Sequence, residues 1–151
     1  MSETTMVVRL LLGAVLGALV GIDRERSHKV AGLRTHTLVA LGSSLFAILS
    51  LSGFIIQPGV NYDPLRIVSN IVVGIGFIGA GSILRRGDKV EGTTTAASLW
   101  TVAAVGASCG LGLYFPAIFT SLLVYLILTI LWQVEKKITS KVPYRADEEA
   151  S

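Results

Sequence analysis

The chain has 151 residues, 52% of them hydrophobic and 15% charged, with a formal net charge of +3. A soluble domain of this length carries about 25% charged residues; here the charges gather between long uncharged runs, the pattern of a multispanning membrane protein built as one bundle. The basic excess does not point to nucleic acid, because no basic face with interleaved aromatics is present, and the single cysteine, Cys109, excludes an intrachain disulfide or a cysteine-built metal site.

The N-terminus, MSETTMVV, has neither a basic n-region nor a convincing cleavage site, so the first apolar run reads as a retained span over 6–22. Its Gly13, Gly17 and Gly21 recur every four residues, the small-xxx-small pattern of a helix packed against another helix or against its copy in a second chain. Arg9 lies near the start of this span, where its long stem can snorkel to the surface. A charged segment, DRERSHKVAGLRTH, precedes a second span over 33–56. The loop QPGVNYDPLR carries turn residues and leads to a third span over 67–84, in which Asn70 is the only amide. Gly74, Gly76, Gly79 and Gly81 interrupt this span. Each glycine costs a helix roughly 1 kcal/mol relative to alanine, so four together predict close helix packing, or room for a ligand or ion path.

A basic hairpin over 85–92 and a fourth span over 93–111, rich in Ala, Ser and Gly, come next. A turn near 112–116 opens the fifth span, 117–132, which is glycine-free and suited to facing lipid, with Tyr114 and Trp132 near its ends at interfacial depth. Residues 133–151 read as a short polar cytoplasmic tail, partly disordered. The fold class is therefore all-α, a five-transmembrane-helix bundle over 1–132. With five spans, eleven of the thirteen Lys and Arg residues fall on one side and only Arg9 and Arg66 on the other. That bias places the N-terminus outside and the C-terminus in the cytoplasm.

This topology brings the distinctive polar residues to the cytoplasmic boundary: Asp23, Arg24, Glu25, Arg34, Thr35, His36, Arg85, Arg86, Thr94 and Thr95. A carboxylate at a helix C-terminus faces the negative end of the dipole and needs a partner. For Asp23 and Glu25 that partner is Arg34 or Arg85 in a structural ion pair, or a hydrated Mg²⁺, with Asp88 and Glu91 as additional ligands. His36, at a helix start, suits a hydrogen-bonding role or a proton relay. The threonines at 93–95 suit an N-cap through a hydroxyl, or, with Arg85 and Arg86, an anion such as a lipid phosphate. No charge lies in the middle of a span, where a coupled ion transporter often needs one. No HExxH, GxSxG, P-loop or dinucleotide motif is present, so the sequence carries no enzyme signature.

Four stretches together, GIDRE at 21–25, AGLRTHTLVALG at 31–42, IVVGIGFIGAGSIL at 71–84 and VEGTTTAASLWTVAAVGASCGLGLY at 90–114, resemble the MgtC/SapB family of bacterial inner-membrane proteins. The family's Gly-Leu-Thr-Thr-Ala-Ala reads Gly92-Thr93-Thr94-Thr95-Ala96-Ala97 here, with Thr93 in place of Leu. The resemblance implies a multi-pass inner-membrane protein associated with magnesium homeostasis. Family members are often labelled magnesium transporters, while the name-giving branch resembles a regulator that restrains the membrane ATP synthase and carries a C-terminal cytoplasmic domain. This chain, ending at Ser151, is expected to be a short form. The expected partners are the bilayer and a second copy or another membrane protein, such as a membrane ATPase. The alternative is a transporter or channel for Mg²⁺ or another small ion.

Overall fold

The computed structural model describes residues 1–51, 63 and 65–139. Five helices account for nearly all of them: α1 Glu3–Arg26, α2 Leu33–Leu51, α3 Leu65–Gly81, α4 Thr93–Leu111 and α5 Tyr114–Thr139. Strands β1 Leu84–Arg86 and β2 Lys89–Glu91 form an antiparallel hairpin between α3 and α4, pairing Leu84 with Glu91 and Arg86 with Lys89. Gly87, at φ 61°, is the first of its two turn residues, where a tight hairpin asks for a positive φ.

Helices α1, α2, α4 and α5 are long and apolar enough to cross a membrane. At 17 residues, α3 reaches about 25 Å at 1.5 Å per residue, short of ~30 Å of hydrocarbon. The expected third span ends earlier than its apolar composition suggested, because residues 84–86 belong to the hairpin. Residues 52–56 of the expected second span lie outside the described residues. The fifth helix departs from expectation at both ends. It starts at Tyr114, since Pro116 is tolerated in a first helical turn, and it continues to Thr139, so 133–139 is helix and not tail. The Lys136 ammonium lies 5.4 Å from the Trp132 ring centroid, one turn away, a contact that favours the continuation. Residues 140–151 lie outside the described residues.

Helix α4 is the centre, packing against all four other helices. Three apolar layers stack along it: Leu16, Val105, Cys109 and Ala117; then Val20, Ala40, Val102 and Leu128; then Ala31, Ile75, Leu99 and Ala103. Gly106 and Gly110 set the closest approach, since a Cβ at either would fall on the α2 backbone, at the Ala40 and Ser44 carbonyls respectively. The Gly13/Gly17/Gly21 face of α1 is likewise used within the chain. A Cβ on Gly17 would stand 2.6 Å from that of Ala40, and one on Gly21 would stand 2.8 Å from the Leu33 Cα. This face packs on α2 and is not free for a second copy. The glycines of α3 behave oppositely. Among the described residues only Gly79 meets a neighbour, Ala96 of α4 at 3.6 Å, while Gly74, Gly76 and Gly81 face open space. The dense packing expected of this stretch is thus confined to one side. Helix α5 is buried at Ala117, Ser121 and Leu128 and otherwise largely faces outward, in keeping with a lipid-facing edge.

Gly112 closes α4 in the left-handed conformation at φ 84°, with its N–H bonded to Cys109 O and the Leu113 N–H to Ser108 O. The Gly110 carbonyl accepts instead from the Arg9 guanidinium at 2.7 Å, and Arg9 Nε donates to the Tyr114 hydroxyl at 3.2 Å. Arg9 therefore docks on a helix C-terminus, where a cation is favoured, with its bond to Tyr114 at the exposed edge of the bundle. Arg9→Gln is expected to lower stability by about 2 kcal/mol, the scale of a charged hydrogen bond. Thermal unfolding in detergent measures it, with Tyr114→Phe changing the midpoint much less.

Candidate functional site

At one end of the bundle, the C-terminus of α1 meets the N-termini of α2 and α4 and the flank of α5. Asp23 and Arg24 form an ion pair at 2.6 Å, with a second bond from Arg24 Nε to the same oxygen at 3.1 Å. Arg24 is 3% exposed. The other Asp23 oxygen accepts from the Thr129 hydroxyl at 3.1 Å, which joins α1 to α5. The partner of Asp23 is thus its chain neighbour, not Arg34 or Arg85.

Glu25 is occupied elsewhere. Its carboxylate accepts the Leu33 N–H at 3.0 Å and so caps the start of α2. Gly32 leaves the space for it, since a Cβ there would collide with that carboxylate. The two expected metal ligands therefore do not converge: each faces its own protein donors. Among the described residues no group of three His, Cys, Asp or Glu side chains comes together to hold a metal ion, and Asp88 and Glu91 sit in the exposed hairpin.

His36 is completely buried. Its Nδ1 lies 2.8 Å from the Gly32 carbonyl and its Nε2 lies 3.0 Å from the Ser98 hydroxyl of α4. A carbonyl only accepts, so Nδ1 carries a proton. Ser98 has one proton and two acceptors in reach, Nε2 and the Thr95 carbonyl at 2.8 Å. With a neutral ring Ser98 donates to Nε2; with a charged ring Nε2 donates to Ser98, which donates on to Thr95. One arrangement of heavy atoms thus serves both protonation states, and both expected roles of His36, hydrogen bonding and proton relay, are chemically open to it.

The start of α4 departs from the hydroxyl cap expected of its threonines. Gly92 is the N-cap, at φ 93°, and no side chain caps it. A side chain at 92 would collide with the Ser82 carbonyl, so the αL turn and the close approach both require glycine. Thr93 and Thr94 are exposed and Thr95 is buried. Arg85 Nε bonds to the Gly87 carbonyl within the hairpin at 3.1 Å, and Arg34 and Thr35 lie at the start of α2. The structure thus gathers Asp23, Arg24, Glu25 and His36 into bonded pairs at the helix ends, and leaves Arg34, Arg85 and Thr94 exposed. Gly32, Ser98, Thr129, Gly106 and Gly110 complete the arrangement without having stood out in the sequence. The GxxxG spacing of 106 and 110 was their one available signal.

A bundle of long apolar helices with its ionised groups gathered at the ends defines a multi-pass membrane protein. The chain belongs to the MgtC family, whose pattern matches residues 10–137. It is 41% identical over 138 residues to the Escherichia coli K12 protein named "Putative magnesium transporter YhiD", a match that covers 89% of this chain and 64% of that protein. It is 46% identical over 120 residues to the Synechocystis protein slr0014, across 78% of this chain and 48% of that one. To Protein MgtC of Salmonella typhimurium LT2 it is 38% identical over 143 residues, across 95% of this chain and 59% of that one. The chain thus spans less than two thirds of the length of each of these relatives. No solved structure matches it significantly.

Proposed function

We propose that this is a non-enzymatic protein of the bacterial inner membrane that acts in magnesium homeostasis as a regulator, by contact with another membrane protein or a second copy. In this reading α3 crosses the bilayer with the other four helices. The N-terminus lies outside and the cation-rich ends of α1, α3 and α5 lie in the cytoplasm. The observation that carries the reading is the open side of α3 at Gly76, away from the α2–α3 groove. Among the described residues Gly76 has no neighbour within 4 Å, and Phe77 beside it is 86% exposed. A small residue left open in this way suits a helix supplied from outside the chain. The α1 glycines, already packed on α2, do not offer this.

The second reading, transport of Mg²⁺ or another small ion, is favoured by the name of the E. coli relative. Both Asp23 and Glu25 already have protein donors, so a transported cation would have to displace one of them. Mg²⁺ flux into sealed proteoliposomes separates the readings. A regulator gives no flux above empty vesicles, and Gly76→Leu abolishes its support of growth at low magnesium without lowering its melting temperature. Flux from wild-type protein that falls in the Glu25→Gln variant establishes the transporter instead.

A further inference from the structure

Helix α3 leans on α4 through Ile75 and Gly79. It parts from α2, leaving a mostly apolar groove of about 1200 Å³ between them. The groove follows α2 from Arg34 to Leu49, about 22 Å at 1.5 Å per residue. Gly42 and Gly74 line it, and among the described residues neither has a neighbour within 4 Å of where a Cβ would stand. Phe46 and Asn70 line the part nearer the far end.

The two ends differ in charge. At one end stand Arg34 and Thr35. Among the described residues the side chains of Arg34 and Thr35 have no ion pair and no hydrogen bond. The groove therefore combines a long apolar trough with an unengaged guanidinium and hydroxyl at one end. Basic pockets between transmembrane helices on the cytoplasmic side are where anionic lipid headgroups bind.

We infer that the α2–α3 groove is a binding site for an anionic phospholipid, its acyl chains lying along Gly42 and Gly74 and its phosphate held by Arg34 and Thr35. The site rests on the membrane orientation proposed above and not on the regulatory role, because it uses the α2-facing side of α3 and not Gly76 or Phe77. It also differs from an anion site at the start of α4, since neither Arg85 nor the α4 threonines take part.

Native mass spectrometry of the detergent-purified chain, with added phosphatidylglycerol or phosphatidylcholine, tests it. The protein should retain phosphatidylglycerol in preference, and Arg34→Gln should reduce that preference about fivefold, the effect of one basic group at a membrane surface. Arg85→Gln should leave it unchanged. Gly42→Leu and Gly74→Leu, at positions with no neighbour among the described residues, should abolish retention of either lipid without lowering the melting temperature. Equal retention of the two lipids overturns the inference, as does a preference indifferent to Arg34→Gln. So does an adduct formed with inorganic phosphate alone, or a lipid-free dimer that Gly74→Leu dissociates, which would give the groove to a second copy.

Discussion

Gly106→Ala is expected to destabilise the protein by about 3 kcal/mol, at the top of the usual range for overpacking. The reason is what the new methyl would meet. Side chains can change rotamer to admit an extra carbon, but here the obstacle is the Ala40 carbonyl, fixed within α2. To admit the methyl, α4 must move away from α2, and the layer containing Val20, Ala40, Val102 and Leu128 opens with it. Gly110→Ala, set against the Ser44 carbonyl, should behave similarly. Gly76→Ala provides the control. It has open space around it and should gain up to about 1 kcal/mol of helix propensity. Reversible unfolding in mixed detergent micelles measures all three. If Gly106→Ala and Gly76→Ala have equal effects, α4 does not approach α2 as described.

Asp23→Ala should cost about as much, on the order of 3 kcal/mol, by a different route. It leaves the Arg24 guanidinium, 3% exposed, without its counter-charge, and removing one partner of a buried pair costs more than the pair itself contributes. It also removes the acceptor for Thr129, and with it a link between α1 and α5. Replacing both members, Asp23→Leu with Arg24→Met, should recover most of the loss, because no buried charge then remains unpaired. Urea titration of the two variants beside the wild type measures the recovery. If the double variant is as unstable as Asp23→Ala, the loss comes from the contact with Thr129 and not from the unpaired charge.

Much of this architecture is legible along the chain. The bounds of α4 follow from Gly92 and Gly112, which sit at its two ends in left-handed conformations. The hairpin follows from Gly87-Asp88 between short basic strands, and the gathering of Asp23, Glu25 and His36 at one end follows from counting spans. What the sequence does not disclose is which surface meets which. Glycines at similar spacing have opposite fates. Those of α1 and α4 bring backbones into contact, while three of the four in α3 face open space, because a one-dimensional pattern reports that a face is smooth and not what lies against it. The same limit applies to Asp23. Its plausible partners included Arg34 and Arg85, yet Arg24 turns back along its own helix to meet it. Glu25 joins the next helix through a backbone N–H, a partner that every residue but proline offers and no motif reveals. The extension of α5 past Trp132 was hidden because the continuous apolar run ends there, although Leu131, Val134 and Ile138 keep a helical spacing and Gln, Glu and Lys are good helix formers.

The helix at the centre of the bundle is the fourth to leave the ribosome. Helices α1 and α2 have each other as soon as both are made, through the Gly13, Gly17 and Gly21 contacts. For α3, the Leu99 and Ala103 surface it leans on does not yet exist. His36 and Ser98 are separated by 62 residues, which at about 5–20 residues per second represent roughly 3–12 s of synthesis. During that interval a polar ring destined for complete burial lies in a nascent chain that lacks its hydroxyl partner. The insertion machinery thus handles a half-built bundle whose closure depends on its penultimate helix, so an arrest of translation before α4 leaves an α1–α2 hairpin with an unanchored third helix.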